Sequence, residues 1–185
     1  MVRLFVGLIL PQSVKQELLG LMAGLEGVKW QREDQLHLTL NFIGEVPEPQ
    51  AEEIELALSA VPFAPFVLRL EGVDIFGKRR RPRMLWAGVR QENIEQLQHL
   101  HTKIDRVLQR CGLKADPRKY FPHVTLARFR GKTKRVGSYL EYHSGYKSPA
   151  FEVDAMTLYR SHLGHQGSHY VVVSSYPGRS HAVPA

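Results

Sequence analysis

One cysteine, Cys111, stands alone in 185 residues. No intramolecular disulfide can form, which removes the small disulfide-stapled secreted domains and points to a cytoplasmic protein. Long apolar runs are also missing. The N-terminal run at residues 4–10 ends at Pro11, far short of the roughly 20 residues that cross a bilayer. Polar Gln12, Ser13 and Lys15 follow it with no small-residue cleavage pattern, so it reads as a buried central strand rather than a secretory leader. With 15 glycines and 11 prolines the chain is too poor in both to be fibrous or of low complexity. Neither His37 nor His123 has a carboxylate or cysteine beside it at metal-ligand spacing, and neither a metal nor another cofactor is expected.

What the chain does have is a basic excess, 25 Lys+Arg against 18 Asp+Glu. That balance favours an anionic partner. The length suits one domain with a core of its own, burying roughly 70% of the unfolded surface. The domain is expected over residues 1–177 as two intertwined lobes, with 178–185 as a frayed tail.

Periodicity alternates between 2 and 3.6 along the chain. Val14, Leu18, Leu21 and Leu25 predict a helix capped by Ser13 and ended by Gly27, and residues 28–30 a short strand. Residues 36–42 alternate apolar and polar as a two-faced strand does. Helices are predicted at 49–61 and along Ile94, Leu97, His101, Ile104 and Leu108, the latter ended by Gly112. Strands are predicted at 67–75, 84–89 and 124–129, with a closing hairpin from 151–159 and 169–174. Strand pairs adjoin between helices, so the fold class is α+β: mostly antiparallel sheets with helices packed outside.

One element is doubled. His37-Leu38-Thr39-Leu40 recurs 86 residues later as His123-Val124-Thr125-Leu126. In a strand, residues i and i+2 share a face about 6.8 Å apart. His37 and Thr39 therefore face one way, as do His123 and Thr125, while the apolar partners enter the core. A single such strand would be unremarkable, because a lone strand histidine is usually structural. Two copies, one per half, put two imidazoles and two hydroxyls around one small anion. One imidazole can act as base and the other as acid near neutral pH, and the hydroxyls can bind phosphoryl oxygens. The chemistry this suits is in-line displacement at a phosphodiester without a metal. By spacing alone the two histidine roles are interchangeable.

The stretches Arg3-Leu4-Phe5-Val6-Gly7, His37-Leu38-Thr39-Leu40-Asn41-Phe42-Ile43-Gly44, Leu85-Trp86-Ala87-Gly88-Val89 and Phe121-Pro122-His123-Val124-Thr125-Leu126-Ala127-Arg128 resemble the two-histidine phosphoesterases. Among these the chain is most similar to the prokaryotic RNA 2′,3′-cyclic phosphodiesterases, also known as 2′-5′ RNA ligases. The resemblance implies a bilobal body of pseudo-twofold symmetry, with two sheets forming a V-shaped cleft. It implies hydrolysis of RNA 2′,3′-cyclic phosphate ends to 2′-phosphates, reversible as 2′-5′ ligation. His37 would be the proton donor and His123 the proton acceptor. Thr39, Thr125 and Arg128 would bind the phosphate.

RNA ends are the expected partner, with no membrane and no obligate protein partner. Two basic runs support this: Lys78-Arg79-Arg80-Arg81-Pro82-Arg83, and Arg128, Arg130, Lys132, Lys134 and Arg135. Trp30, Phe42, Tyr120 and Phe121 are candidates to stack a base or to pack the rim. His99 and His101 read as structural or surface residues. His162, His165 and His169 make the last hairpin rich in histidine. Two alternatives stay open: a phosphodiesterase for small cyclic nucleotide phosphates or 2′-5′ oligonucleotides, and a non-catalytic module that grips RNA ends.

Overall fold

A computed structural model of the chain describes residues 1–131, 133–164 and 167–179. In chain order the elements are β1 (Val2–Ile9), α1 (Gln12–Gly20), β2 (Val28–Trp30), β3 (His37–Val46), α2 (Glu48–Leu58), β4 (Phe66–Leu68), β5 (Leu70–Lys78), β6 (Arg81–Val89), α3 (Ile94–Arg110), β7 (His123–Phe129), α4 (Val136–Tyr142), β8 (Phe151–Val153), β9 (Ala155–Gly164) and β10 (Gly167–Pro177). The class is α+β, and every strand pairing is antiparallel.

The apolar run near the N-terminus is the central strand of its half. β1 lies between β3 and β9, and burial of nearly its whole length explains why its polar alternation is missing. The sheet order is β10-β9-β1-β3-β7-β6-β5, with β2 also on β7. Its two halves meet through one residue pair, Leu38 opposite Val124. The two sheets expected from the resemblance are thus halves of one sheet joined at a single point. That pair lies between the histidine and threonine of each motif, so the lobes part where the chemistry is expected.

The helices bury part of the stripes that their spacing predicts; in α3 the predicted Ile94 and His101 are only partly buried, and Leu100 joins the buried face instead. α3 buries Leu97, Leu100, Ile104 and Leu108. It ends as the sequence suggests: Gly112 takes φ +84°, its N–H bonds to the Gln109 carbonyl, and that of Leu113 bonds to the Leu108 carbonyl. A left-handed residue flanked by these two bonds satisfies carbonyls that would otherwise be orphaned at the helix end.

Several boundaries differ from expectation. α1 stops at Gly20, before Leu21 and Leu25, and Pro11 rather than Ser13 precedes it, with no side-chain cap. The strand expected at 67–75 is two strands: β4 leaves to pair with β8 in a separate two-stranded sheet. α4 has no counterpart in the sequence reading, being only seven residues long. Gly178 and Arg179 are tied by backbone bonds to Asp154 and Phe63. Residues 180–185, together with Lys132 and His165, lie outside the described residues.

Candidate active site

His37 opens β3 and His123 opens β7, and both pairs of motif residues sit as the two-residue period requires. Leu38, Leu40, Val124 and Leu126 are all at most 2% exposed, whereas the four histidines and threonines are partly open. The alternation then breaks, in the same way, in both strands. On β3, Thr39 faces Gly7 and Asn41 faces Val6, so Leu40 is an extra residue. On β7, Thr125 faces Trp86 and Ala127 faces Leu85, so Leu126 is extra. Each is a β-bulge three residues after its histidine, and a bulge reverses which face the following residues present. Asn41 and Ala127 turn inward, and Phe42 and Arg128 turn outward into the cleft. The strict alternation expected through residue 42 therefore fails at Leu40.

Two side chains brace the first bulge. The Tyr120 hydroxyl donates to the Thr39 carbonyl at 3.2 Å, and His101 Nδ1–H donates to the Leu40 carbonyl at 3.0 Å. Their rings stack at 4.2 Å and 7°. Tyr120 is thus committed to His101 and is not a free platform for a base. Trp30 packs against Tyr139 rather than facing the cleft. Of the four aromatic candidates, Phe42 and Phe121 remain open, each about half exposed.

The two imidazoles are oriented alike. His37 Nδ1 lies 2.8 Å from the Gln35 carbonyl and His123 Nδ1 2.8 Å from that of Phe121, in each case two residues upstream. A carbonyl only accepts, so Nδ1 carries the proton and Nε2 of the neutral ring keeps a lone pair. The Thr39 hydroxyl donates to His37 Nε2 at 3.1 Å, while that of Thr125 points to Met84 Sδ at 3.3 Å. Gln35, which the sequence reading passed over, is 6% exposed and also anchors β10 through a 2.6 Å bond to the Ser168 carbonyl. Its signal is its place two residues before the motif histidine.

Aromatic rings surround both histidines. Phe5, Tyr159 and Tyr170 enclose His37, and Phe76, Trp86 and Phe121 enclose His123. Burial pushes the His37 imidazolium down to about 4, with a smaller contribution from the nearby His123. Burial also lowers His123, aided by the Arg128 charge. His37 is therefore neutral at pH 7, and burial favours the neutral form of His123 as well.

The cleft divides into two cavities that share Thr39, Phe42 and Arg128. One, of about 160 Å³, holds His37 and Thr125; the other, of about 800 Å³, holds His123. Each cavity thus combines a histidine of one lobe with a threonine of the other, and the smaller one holds Thr39 as well, as expected for strands crossing at Leu38–Val124. Arg83 lines the larger cavity beside Arg128. Arg79, at the tip of the β5–β6 hairpin, brings Nη1 to 3.9 Å from where a Cβ on Gly137 of α4 would stand. The hairpin tip thereby approaches the start of α4. His162 and His169 pair across β9 and β10, and no metal-binding group of three or more His, Cys, Asp or Glu occurs among the described residues.

Gly7 makes the close approach to His37 possible. A Cβ there would stand 2.9 Å from the Leu38 carbonyl oxygen and 3.5 Å from the His37 ring. Gly7→Ala must displace the β3 backbone, and a misplacement of about 1 Å can cost on the order of 10²-fold in rate. Such a fall in turnover, with the fold retained by circular dichroism, is the expected result.

The two halves of the chain each match one family model, described as LigT-like phosphoesterase, over residues 8–86 and 88–170. A protein of Archaeoglobus fulgidus named RNA 2′,3′-cyclic phosphodiesterase is 32% identical over 171 residues, covering 91% of this chain and 96% of its own. Its namesake in Methanocaldococcus jannaschii is 28% identical, covering 94% and 99%. A solved structure from Thermus thermophilus superposes with a TM-score of 0.76 at 27% identity, covering 97% of this chain and 99% of its own. Escherichia coli LigT complexed with 3′-AMP shares the fold, with a TM-score of 0.79 at 22% identity and coverage of 97% and 99%. A family model matched once in each lobe accounts for the repeated motif, the repeated bulge and the repeated carbonyl bond: the chain belongs to the LigT-like phosphoesterase family.

Proposed function

We propose that the protein hydrolyses RNA 2′,3′-cyclic phosphate ends to 2′-phosphates by histidine general acid–base catalysis without a metal. The observation that carries this is the pair of imidazoles, one from each lobe, each held by a carbonyl so that Nε2 is the reactive nitrogen. The curated relatives named above support the substrate. His123 Nε2 takes a proton from water, whose oxygen forms a bond to phosphorus. The P–O3′ bond breaks, and His37 Nε2–H returns a proton to O3′. Thr39 and Thr125 donate hydrogen bonds to the phosphoryl oxygens, and Arg128 neutralises their charge. With a 5′-hydroxyl in place of water, the same steps join two ends through a 2′-5′ linkage: the 5′ oxygen bonds to phosphorus, its proton goes to His123, and O3′ leaves with a proton from His37.

Burial keeps His37 neutral at pH 7, and a bound diester anion supplies the charge that favours its protonated form. An assay on an oligonucleotide 2′,3′-cyclic phosphate in EDTA tests the reading. Turnover to the 2′-phosphate is expected, and no product from the native chain would sink it.

The exposed hairpin arginines favour a polynucleotide over a lone cyclic mononucleotide. If three phosphates are neutralised there, Arg79→Ala, Arg80→Ala and Arg81→Ala together should flatten the log–log salt dependence of RNA binding by about 2. The rate on mononucleotides should change little. An unaltered salt slope would instead support the small-substrate alternative.

A further inference from the structure

Two lobes that repeat a motif need not hold it by the same means. In each, the chain bulges three residues after the histidine, at Leu40 and at Leu126. A bulge interrupts the ladder, and the carbonyls it frees need other donors. At Leu126 the donor is backbone: the Gln31 N–H reaches its carbonyl at 2.8 Å, just past the short pairing of β2 with β7. At Leu40 β7 has already parted from β3, their one residue pair being Leu38–Val124. Two side chains serve there instead. His101 of α3 donates from Nδ1–H to the Leu40 carbonyl at 3.0 Å, and the Tyr120 hydroxyl donates to the Thr39 carbonyl at 3.2 Å. Their rings stack at 4.2 Å, so each fixes the other. The threonines differ accordingly. Thr39 donates to His37 Nε2 at 3.1 Å, which ties that ring at both nitrogens, since Nδ1 is held by the Gln35 carbonyl. Thr125 turns its hydroxyl to Met84 Sδ and does not engage His123 Nε2.

We propose that His101 and Tyr120 are positioning residues for the proton donor: by holding the first bulge they keep the Thr39 hydroxyl beside His37 Nε2. This rests on the reaction proposed above. With substrate bound, the hydroxyl and Nε2 serve two oxygens of one phosphorus. The hydroxyl donates to a phosphoryl oxygen while Nε2–H passes its proton to the departing O3′. Their 3.1 Å separation suits neighbouring oxygens. Freed carbonyls would let the Thr39 backbone shift, and a misplacement of about 1 Å can cost on the order of 10²-fold in rate. Both residues border the 800 Å³ cavity, but their hydrogen bonds go to β3, so they reach the substrate through Thr39.

Three substitutions test the pair, with thermal melts to establish folding. Tyr120→Phe removes one hydroxyl and keeps the stacked ring. His101→Phe removes the other donor, and His101→Asn returns an N–H near the place of Nδ1–H. On an RNA trinucleotide ending in a 2′,3′-cyclic phosphate, Tyr120→Phe and His101→Phe should each lower kcat by about 10- to 10²-fold and leave KM within about twofold. His101→Asn should recover most of the loss, and Tyr120→Phe carries the test alone if His101→Phe does not fold. In a Thr39→Val background the same substitutions should have little further effect, because residues that act through one another are not additive. Full, independent losses in that background would overturn the assignment, as would native kcat from the folded variants. A second readout needs no turnover. The ¹⁵N resonance of His37 Nε2 should move in Tyr120→Phe toward its position in Thr39→Val, while that of His123 Nε2 stays in place. An unmoved His37 resonance would overturn the assignment while leaving the proposed reaction standing. No product from the native chain would remove the reaction, and the ¹⁵N shifts would then decide by themselves whether the pair holds Thr39 on His37.

Discussion

Replacing His37 or His123 with alanine is expected to lower kcat/KM on an RNA 2′,3′-cyclic phosphate by about 10²–10⁴-fold each, the usual contribution of one general acid or base. The loss should appear mainly in kcat, since on the proposed reading Thr39, Thr125 and Arg128 still bind the phosphate. The double variant should fall well short of the product of the two single losses. One proton enters as another leaves, and removing either partner already disables that exchange. Full turnover by the double variant would rule out both histidines. Folding should survive, because the core contacts of these strands come from Leu38, Leu40, Val124 and Leu126, each at most 2% exposed.

The second large effect is on pH. On the proposed mechanism, the free protein is competent when one imidazole is charged and the other neutral. Burial holds His37 at about 4 and pulls His123 below its ordinary value near 6.5. Above about pH 6.5 the charged donor is an ever smaller minority, and kcat/KM should fall about tenfold per pH unit. The kcat limb should break at higher pH, because the bound anion favours the imidazolium. A kcat/KM optimum near pH 8 would contradict the burial argument.

The same depression makes His37 a liability in acid. Its folded value lies below its unfolded one, so between pH 6.5 and 4 the unfolded chain binds the extra proton and stability falls as pH falls. A difference of about 2.5 units corresponds to roughly 3 kcal/mol, fully available above pH 6.5 and lost by about pH 4. Urea melts across that window should show a shallower pH slope for His37→Ala than for the native chain.

Much of this site was legible before any coordinates. His37, Thr39, His123 and Thr125 could be assigned to shared faces because strand geometry has a period of two and the motif occurs twice. The stripe of α3 and its end at Gly112 were legible for the same kind of reason: a 3.6 period closed by a residue that accepts positive φ. Some short elements were not, although the three-residue β2 was. α4 spans seven residues, too few for a period to register, and β4 and β5 read as one strand because nothing in their local pattern shows that β4 pairs elsewhere.

The bulges mark the limit most clearly. Asn41 is polar and alternates correctly with Leu40, so the sequence places it beside Thr39; in the structure it is 6% exposed and Phe42 takes the open face. An extra residue has no composition of its own. It shows only in the register with β1, and in the bonds from His101 and Tyr120 that satisfy carbonyls near it.

The sequence by itself determined the α+β class, the two motif strands and the basic excess. Each follows from local periodicity or from residue type. Only the tertiary structure decided that the lobes join through the single pair Leu38–Val124, that each cavity mixes a histidine from one lobe with a threonine from the other, and that Phe42 and Arg128 both turn into the cleft. Those depend on register and packing between segments far apart in the chain, which no local pattern encodes.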